Sequence, residues 1–436
     1  MPRSLIIFVV GLLIVAARSS AAQQTPSADE LSERINNLLQ PAVDAELFSG
    51  IVLVARGDDI IYHQPFGYAD WELRAPLTRK SRFGIASITK AMTDIIVELL
   101  LAEGQINLDM PVENYIEGFP RGPGGGVPTV RHLYTHRSGV PHRLTSDVDE
   151  TQPLRTTDIV ERVKWEGLRF EPGTDRLYSS AGYTVLARVI EIVEGKPYEQ
   201  VLAERVFDPA GMRNAMSETG RELMTHRASP YTLGTTDGRI TALNVPYKDL
   251  RFLTGAGSVY ASAEDLFHYV RAMHAGVFGP ELWDQAVDAD AMEWRGWTGW
   301  TSGYEAYMDV LPAEDLTLIL LTNLRSMVTW QTRQAVRTLL NGDQVEPFVL
   351  PPPRAEPFES FASVTGIYNR NGSLVEIRLE EGRLFRGDNE IYPTTDERYF
   401  TPASGSFVAF RRNEQGEVEA LLSPPDDEQS AMPRIE

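Results

Sequence analysis

Two segments of strand character, one at each end of a long helical region, most strongly limit how this chain can fold. Residues 50–54 (GIVLV) and 60–62 (IIY) flank an Arg-Gly-Asp-Asp turn, which predicts a hairpin. Residues 304–310 and 316–321 flank a Pro-Ala-Glu-Asp turn and predict a second hairpin. The economical arrangement is one sheet contributed by both ends, with the helical region inserted between them.

Further segments extend this arrangement. Apolar residues with helical spacing precede the first hairpin at 31–48 and follow the second at 328–340. Beyond a proline-rich segment, alternating stretches such as 374–379 and 406–410 are separated by glycine turns and predict a small antiparallel β meander or barrel. The predicted domains are a main domain at 27–341, a Pro-rich linker at 342–357 and a C-terminal β domain at 358–436.

The first residues have the pattern of an export signal. Arg3 precedes an apolar run at 5–17 that is too short to span a bilayer, and small residues follow at 19–22. We predict a signal peptide at 1–22, with an uncleaved anchor as the alternative. Either case makes the body of the protein periplasmic or secreted, and cleavage leaves no stable membrane insertion.

Composition excludes several classes of function. With 61 acidic against 41 basic side chains, the formal net charge is -20, which repels nucleic acid and anionic membrane surfaces. The chain has no cysteine, so thiol catalysis and a disulfide framework are excluded. Its 42% hydrophobic content is typical of a globular protein with a sizeable core.

The stretch FGIASITK places Ser87 three residues before Lys90, one of only five lysines in the chain. Apolar spacing from Ile88 to Leu100 predicts a helix buried on one side, with Ser87 in its first turn and Lys90 one turn later. A serine nucleophile needs a nearby base, and a lysine among apolar groups can lose its proton and serve as that base. The motif alone is weak, and the alternative is an exposed lysine on an ordinary helix.

Together with two later motifs, this stretch resembles the serine β-lactamase and penicillin-binding-protein superfamily, in particular class C β-lactamases and family VIII carboxylesterases. Tyr178-Ser179-Ser180 resembles the second motif, Tyr-x-Asn, and Trp297-Thr298-Gly299 resembles the third, Lys-Thr-Gly or His-x-Gly. The resemblance implies an α/β fold of the β-lactamase/transpeptidase-like type, a mixed and largely antiparallel sheet flanked by helices with a helical subdomain. For the C-terminal segment it implies a lipocalin-like β domain.

The resemblance also implies roles for the motif residues. Tyr178 would take the serine proton and pass it to the leaving group, and Ser180 would orient Lys90. The alternative for Tyr178 is a plain core aromatic. No cofactor is implied.

The third motif implies an oxyanion hole and a substrate wall. The backbone N–H groups of Ser87 and Trp300 would stabilise the oxyanion, beside Thr298 and Gly299. Trp297 would line the acyl or alcohol pocket. A glycine at this point of a strand lets the acyl group approach closely.

Two departures from the family pattern favour small, neutral carboxylic esters as substrates. Ser180 replaces an asparagine, which weakens contact with a substrate amide. Trp297 replaces a cationic or protonatable side chain, and an indole supplies no charge for a substrate carboxylate. We therefore expect an exported serine hydrolase that forms an acyl-enzyme on Ser87.

Other functions stay open at this point. One alternative is a β-lactamase, a D,D-peptidase or a D-amino-acid amidase, and another is a catalytically silent binding protein on the same fold. The chain has no Gly-x-Ser-x-Gly nucleophile elbow. His132 and His136 have the spacing of zinc ligands, but Leu133 stands where a metalloprotease glutamate belongs, so no metal is expected. The oligomeric state does not follow from the sequence.

Overall fold

The structure is a computed structural model, and it describes most of the chain after residue 27. The described residues are 28–144, 149–220, 222–236, 239–287, 292–347, 349, 358–370, 372–387, 389–395, 397–402, 406–425, 427 and 430–435. The predicted signal peptide at 1–22 and much of the predicted linker at 342–357 lie outside them.

Ten α-helices are present in the described residues. They are α1 (Ala28–Asp44), α2 (Thr89–Ala102), α3 (Val130–Tyr134), α4 (Thr156–Glu166), α5 (Ser180–Glu194), α6 (Tyr198–Leu202), α7 (Asp208–Ala210), α8 (Ala263–His274), α9 (Pro280–Val287) and α10 (Met327–Leu340).

The same part of the chain contains 21 strands. They are β1 (Gly50–Arg56), β2 (Asp59–Phe66), β3 (Tyr68–Asp70), β4 (Ala75–Pro76), β5 (Phe83–Gly84), β6 (Met216–Ser217), β7 (Tyr231–Thr236), β8 (Arg239–Asn244), β9 (Val259–Ala261), β10 (Arg295–Thr301), β11 (Tyr304–Leu311), β12 (Leu316–Thr322), β13 (Leu324–Arg325), β14 (Gly366–Arg370), β15 (Ser373–Glu380), β16 (Arg383–Arg386), β17 (Asn389–Pro393), β18 (Tyr399–Thr401), β19 (Ser406–Arg412), β20 (Val418–Leu422) and β21 (Met432–Pro433).

The central sheet joins both ends of the main domain, as the two predicted hairpins require. Its order is β10-β11-β12-β1-β2. Strands β1 and β12 pair antiparallel, with Gly50 opposite Thr322 and Arg56 opposite Leu316. The prediction of one sheet with an inserted helical region is therefore confirmed. The third motif lies on β10, an edge strand of this sheet.

Helices cover both faces of this sheet, which explains why β1 is an almost continuous apolar run. Successive side chains of a strand point to opposite faces. Ile51 and Leu53 accordingly join the larger core, which includes the helical region, whereas Val52 and Val54 pack with α1 and α10 in a second core.

The C-terminal segment forms an eight-stranded antiparallel sheet with the order β14 to β21. A bridge between Tyr368 and Arg434 links its first strand to the segment at its last strand, so the sheet is nearly closed into a barrel. Its apolar core runs from Phe361 to Met432. The predicted C-terminal β domain is confirmed in architecture.

Among the described helices, none combines the length and the apolar character that a bilayer-spanning segment requires. The longest, α1, carries an acidic first turn and exposed polar residues along one side.

Candidate active site

Ser87 lies in a short 3₁₀ turn, Ala86–Ile88, that leads from β5 directly into α2. The sequence predicted this residue in the first turn of the α-helix, and the structure places it just before that helix. The preceding residue, Ala86, has a φ of 45°, which a residue with a side chain seldom adopts. Such a backbone conformation persists only where the surrounding structure enforces it, and it is common beside functional groups.

Lys90 lies one turn after Ser87 and is held on two sides. Its Nζ donates hydrogen bonds to Ser87 Oγ at 3.0 Å and to the carbonyl oxygen of Ala256 at 2.8 Å. The residue is only 5% exposed. Burial lowers the pKa of its amine to about 7, although the nearby Asp94 carboxylate opposes the shift. A large neutral fraction near pH 7 suits a general base.

Tyr178 completes the group. It lies two residues before the start of α5, and Lys90 Nζ is 4.9 Å from the centre of its ring. Burial raises the pKa of its phenol, and a side-chain interaction with Ser87 partly opposes the rise. The phenol is therefore protonated near pH 7, and it can donate a proton more readily than it can accept one.

Two histidines hold the segment that carries Tyr178. The backbone N–H of Ser179 donates to His136 Nδ1 at 3.1 Å, and that of Ser180 donates to His142 Nδ1 at 3.3 Å. Their rings lie 4.5 Å and 5.3 Å from the Tyr178 ring. Burial and the Lys90 charge lower the pKa of His136 to about 4 and lower that of His142, so both rings are neutral at pH 7.

The expectation that Ser180 orients Lys90 is not met by the geometry. Ser180 lines the same cleft, but in the described structure its hydroxyl makes no hydrogen bond to Lys90. The Ala256 carbonyl occupies that role instead. The second acceptor of the Lys90 amine is thus a backbone oxygen from the loop before β9.

A buried network fixes the backbone beside that carbonyl. Thr93 Oγ1 lies 2.6 Å from the carbonyl oxygen of Gly255 and 2.7 Å from the hydroxyl of Tyr198. Gly255 has a φ of +76°, and a Cβ there would lie 2.6 Å from Ala187 Cβ. These contacts make the loop before β9 a rigid acceptor for Lys90.

Strand β10 forms the opposite wall of the cleft at the edge of the central sheet. A Cβ on Gly299 would lie 2.1 Å from the carbonyl oxygen of Ile85 and 2.9 Å from the backbone nitrogen of Ser87. Only glycine permits this approach. Thr301 and Tyr304 flank a two-residue turn and form the hydrogen-bonded pair that closes it. The next pair, Trp300 and Glu305, is therefore a non-hydrogen-bonded pair, so the Trp300 N–H points away from β11.

The cleft between these elements has a volume of about 840 Å³. Its lining includes Ser87, Lys90, Tyr178, Ser180, Trp297, Thr298 and Trp300. The structure thus brings the residues of all three motifs to one cavity.

A family model described as beta-lactamase matches residues 35–338, well over half of the chain. The chain belongs to the beta-lactamase family. Penicillin-binding protein 4* of Bacillus subtilis (strain 168) is 26% identical over 451 residues, which cover 92% of this chain and 98% of the relative. Esterase EstB of Burkholderia gladioli is 29% identical over 300 residues, which cover 60% of this chain and 75% of the esterase.

Solved structures agree in fold. The D-amino acid amidase from Ochrobactrum anthropi SV3, complexed with D-phenylalanine, superposes with a TM-score of 0.62 over 72% of this chain and 99% of the amidase. The sequences are 22% identical, so this likeness is one of fold. Within the beta-lactamase family, the chain is a serine hydrolase with a β-lactamase/transpeptidase-like fold.

The rim of the cleft differs from the expectation drawn from Trp297. That indole adds no charge, but Arg325 lies nearby and stacks on Trp300, with its guanidinium carbon 4.8 Å from the ring centre. Its nearest carboxylate, Glu305, is 3.9 Å away. Arg143 also lines the cavity. The cleft therefore has two cationic side chains, Arg143 and Arg325, that lie outside the three motifs.

Sequence reasoning missed several groups of this site. Asp94, His142 and the Ala256 carbonyl carry no motif of their own, and the sequence around His136 indicates scaffold rather than chemistry, with a zinc site as the weaker alternative. In the structure His132 Nδ1 accepts from Thr129 N at 3.1 Å, and His136 Nδ1 is similarly engaged by Ser179. The position of Asp94, four residues after Lys90 on a helix, was the one signal available.

Proposed function

We propose that this protein is an exported esterase that hydrolyses small, neutral carboxylic esters through an acyl-enzyme on Ser87. The contact of Lys90 Nζ with Ser87 Oγ at 3.0 Å, inside a cleft, carries this proposal. Export rests on the apolar run at 5–17 and the small residues after it.

In acylation, Ser87 Oγ bonds to the ester carbonyl carbon while its proton passes to the neutral Lys90 amine. Tyr178 donates its phenolic proton to the departing alkoxide, and the Lys90 ammonium returns a proton to Tyr178. The backbone N–H groups of Ser87 and Trp300 stabilise the oxyanion, with about 3 kcal/mol of barrier lowering for each such donor. Thr298 and Gly299 keep β10 close to the reacting carbon.

In deacylation, a water molecule attacks the acyl carbon and gives its proton to Lys90. The bond between the acyl carbon and Ser87 Oγ breaks, and Lys90 returns the proton to that oxygen. The products are the carboxylic acid and the free enzyme, so each turnover consumes one water and needs no cofactor.

Esters are favoured over amides by the chemistry of the cleft. Trp297 is half-buried against the larger core, and Leu144, Phe252 and Leu253 add apolar lining to the cleft. Ser180 offers a single hydroxyl where an amide-binding asparagine is usual in the family. Such a surface favours an apolar acyl or alcohol group.

The first test is covalent labelling. Wild type and Ser87→Ala are treated with a fluorophosphonate and examined by intact-mass spectrometry. We expect one adduct on wild type and none on the variant. An unlabelled wild type that is folded would instead support the silent binding protein.

A second candidate function is hydrolysis of β-lactams, D-peptides or D-amino-acid amides. Arg325 favours the first two substrate classes, because its guanidinium can pair with the carboxylate that β-lactams and peptide C-termini carry. The discriminating assay compares kcat/KM for nitrophenyl butyrate, a chromogenic cephalosporin and a D-phenylalanine amide. The ester proposal expects the butyrate to be turned over fastest. Faster lactam or amide hydrolysis would replace it with the second candidate.

A further inference from the structure

Asp94 is a carboxylate in the cleft that the proposed reaction does not yet use. It follows Lys90 by four residues on α2, so both side chains lie along one face of that helix. Asp94 lines the same cavity as Lys90 and Ser87. A partly buried acid in this position costs free energy unless a partner stabilises it.

Tyr183 on α5 is that partner. Its hydroxyl lies 2.7 Å from Asp94 Oδ1 and 3.1 Å from the carbonyl oxygen of Tyr134. A single hydroxyl proton serves one acceptor well, and the shorter contact is the one to the carboxylate. The ring of Tyr183 also lies 5.7 Å from Lys90 Nζ, so the same residue contacts the acid and borders the amine.

The other titratable groups around Lys90 come from several elements. From the segments before α5, Tyr178, His136 and His142 face it, and both histidines are neutral at pH 7. Glu150 lines the cavity but is paired with Lys248. Strand β10 contributes tryptophan and threonine side chains, and the loop before β9 contributes the Ala256 carbonyl.

Glu98 is the next acid along α2, and it accepts a hydrogen bond from Tyr134 at 2.8 Å. The negative charge of Glu98 raises the pKa of Asp94. The pKa of Lys90, in contrast, is raised by the negative charge of Asp94. Burial raises the pKa of Asp94 to about 7, and the Tyr183 hydrogen bond and the Lys90 charge oppose that rise. Lys90 and Asp94 therefore titrate over the same pH range, and they do so as a coupled pair of groups.

We propose that Asp94, held by Tyr183, is the counter-charge of Lys90 and a positioning residue that governs when the Lys90 amine is free to accept the Ser87 proton. This inference rests on the proposed function. When Ser87 Oγ bonds to the substrate, its proton moves to Lys90 Nζ and creates an ammonium ion. The carboxylate of Asp94 then faces that ammonium and stabilises it, while Tyr178 protonates the leaving group.

The test is the pH dependence of the rate at which a fluorophosphonate modifies Ser87, measured by intact mass on the full chain. In wild type the rate rises with pH as Lys90 loses its proton. Asp94→Asn removes the counter-charge, so Lys90 loses its proton more readily. We expect the acid limb of the profile, the part where the rate rises with pH, to move to lower pH by about one unit. At high pH the variant should react more slowly than wild type, because the ammonium that forms lacks its counter-charge.

Three further variants separate this role from a structural one. Asp94→Glu should return the limb toward the wild-type position. Tyr183→Phe should move it in the same direction as Asp94→Asn but by less, because the carboxylate loses its hydrogen bond. Glu98→Gln is the matched control, an acid on the same helix. Because the Glu98 charge raises the pKa of Asp94, its removal leaves Asp94 ionised, so the limb should not move to lower pH.

Circular dichroism establishes which variants are folded, and Tyr183→Phe carries the test if Asp94→Asn does not fold. A lower rate with an unmoved acid limb in folded Asp94→Asn and Tyr183→Phe would reduce Asp94 to a structural residue and overturn the inference. A shift of the limb to higher pH in either of these two variants would overturn it as well. If wild type forms no adduct on Ser87 at any pH, the proposed function fails instead.

Discussion

The acceptor that holds Lys90 is a backbone carbonyl, so the neighbouring side chains can be substituted without loss of this contact. Lys90 Nζ contacts Ala256 O at 2.8 Å, and the buried Thr93 fixes the adjoining Gly255. Ser180 is consequently not needed to hold the amine. It is available for contact with substrate, where its hydroxyl lines the cleft.

We predict that Ser180→Asn raises turnover of an amide or lactam relative to an ester. The asparagine amide reaches further than a hydroxyl and both donates to and accepts from a substrate amide group. The measurement is the ratio of kcat/KM for a D-phenylalanine amide to that for nitrophenyl butyrate, with a rise of about tenfold expected. Ser302→Asn, at the tip of the β10–β11 turn in the same cleft, is the matched control. An unchanged ratio in Ser180→Asn would contradict this view of Ser180.

At the scale of elements, a buried ion pair joins the last helix of the main domain to the central sheet. Arg333 on α10 donates to both oxygens of Asp309 on β11, at 2.7 Å and 2.6 Å. The Asp309 side chain is fully buried. A buried carboxylate is tolerated here because two charge-assisted hydrogen bonds satisfy it.

Arg333→Met should lower the free energy of unfolding by about 3–5 kcal/mol, because it leaves the Asp309 charge buried without its partner. Urea denaturation of the purified variant measures the loss. The double variant Arg333→Met/Asp309→Leu should recover most of it, since no buried charge then remains. A single variant as stable as wild type would mean that Asp309 finds another partner or water.

Glu305 on β11 should give the main domain a stability that falls as pH rises. Burial raises the pKa of its carboxyl to about 7, although the Arg325 charge opposes the shift. The folded pKa therefore exceeds the unfolded value, so the contribution is complete below pH 4.5 and is lost as pH rises through 7. Glu305→Gln should raise the free energy of unfolding by about 2 kcal/mol at pH 8 and change it little at pH 4. Thermal melts at the two pH values test this, and equal effects at both would contradict it.

Across the whole molecule, the sequence predicts those helices and hairpins that the spacing of apolar residues and the turn residues determine locally. The hairpins on either side of the helical region follow from period-two patterns and turn residues, and the helix after Ser87 follows from its apolar spacing. The rest of the site depends on contacts between distant segments. Ala256 lies 166 residues from Lys90 and contributes only a carbonyl, which every residue type possesses. His142 and Asp94 likewise gain their surroundings only when α2 and α5 pack.

The division of the chain into two modules is a proposal that the packing supports. The two cores of the main domain are built from residues 31–345, with Val345 packed at the edge of the second. The core of the C-terminal sheet begins at Phe361. We therefore place the end of the main domain after Glu346, five residues beyond the sequence-based boundary at Asn341, because a cut at 341 would strip Val345 from its core.

A chain shortened to end at Glu346 should fold and keep its preference among esters. The cleft-lining residues in the described part of the chain all lie between Ala86 and Arg325, so removal of the C-terminal sheet leaves them intact. The measurement is the ratio of kcat/KM for nitrophenyl butyrate to that for nitrophenyl octanoate, which should stay within about twofold of the full chain. Circular dichroism and a thermal melt provide the control for folding. A folded short chain that accepts octanoate much better would show that the C-terminal module narrows the cleft, and it would assign that module a part in substrate selection.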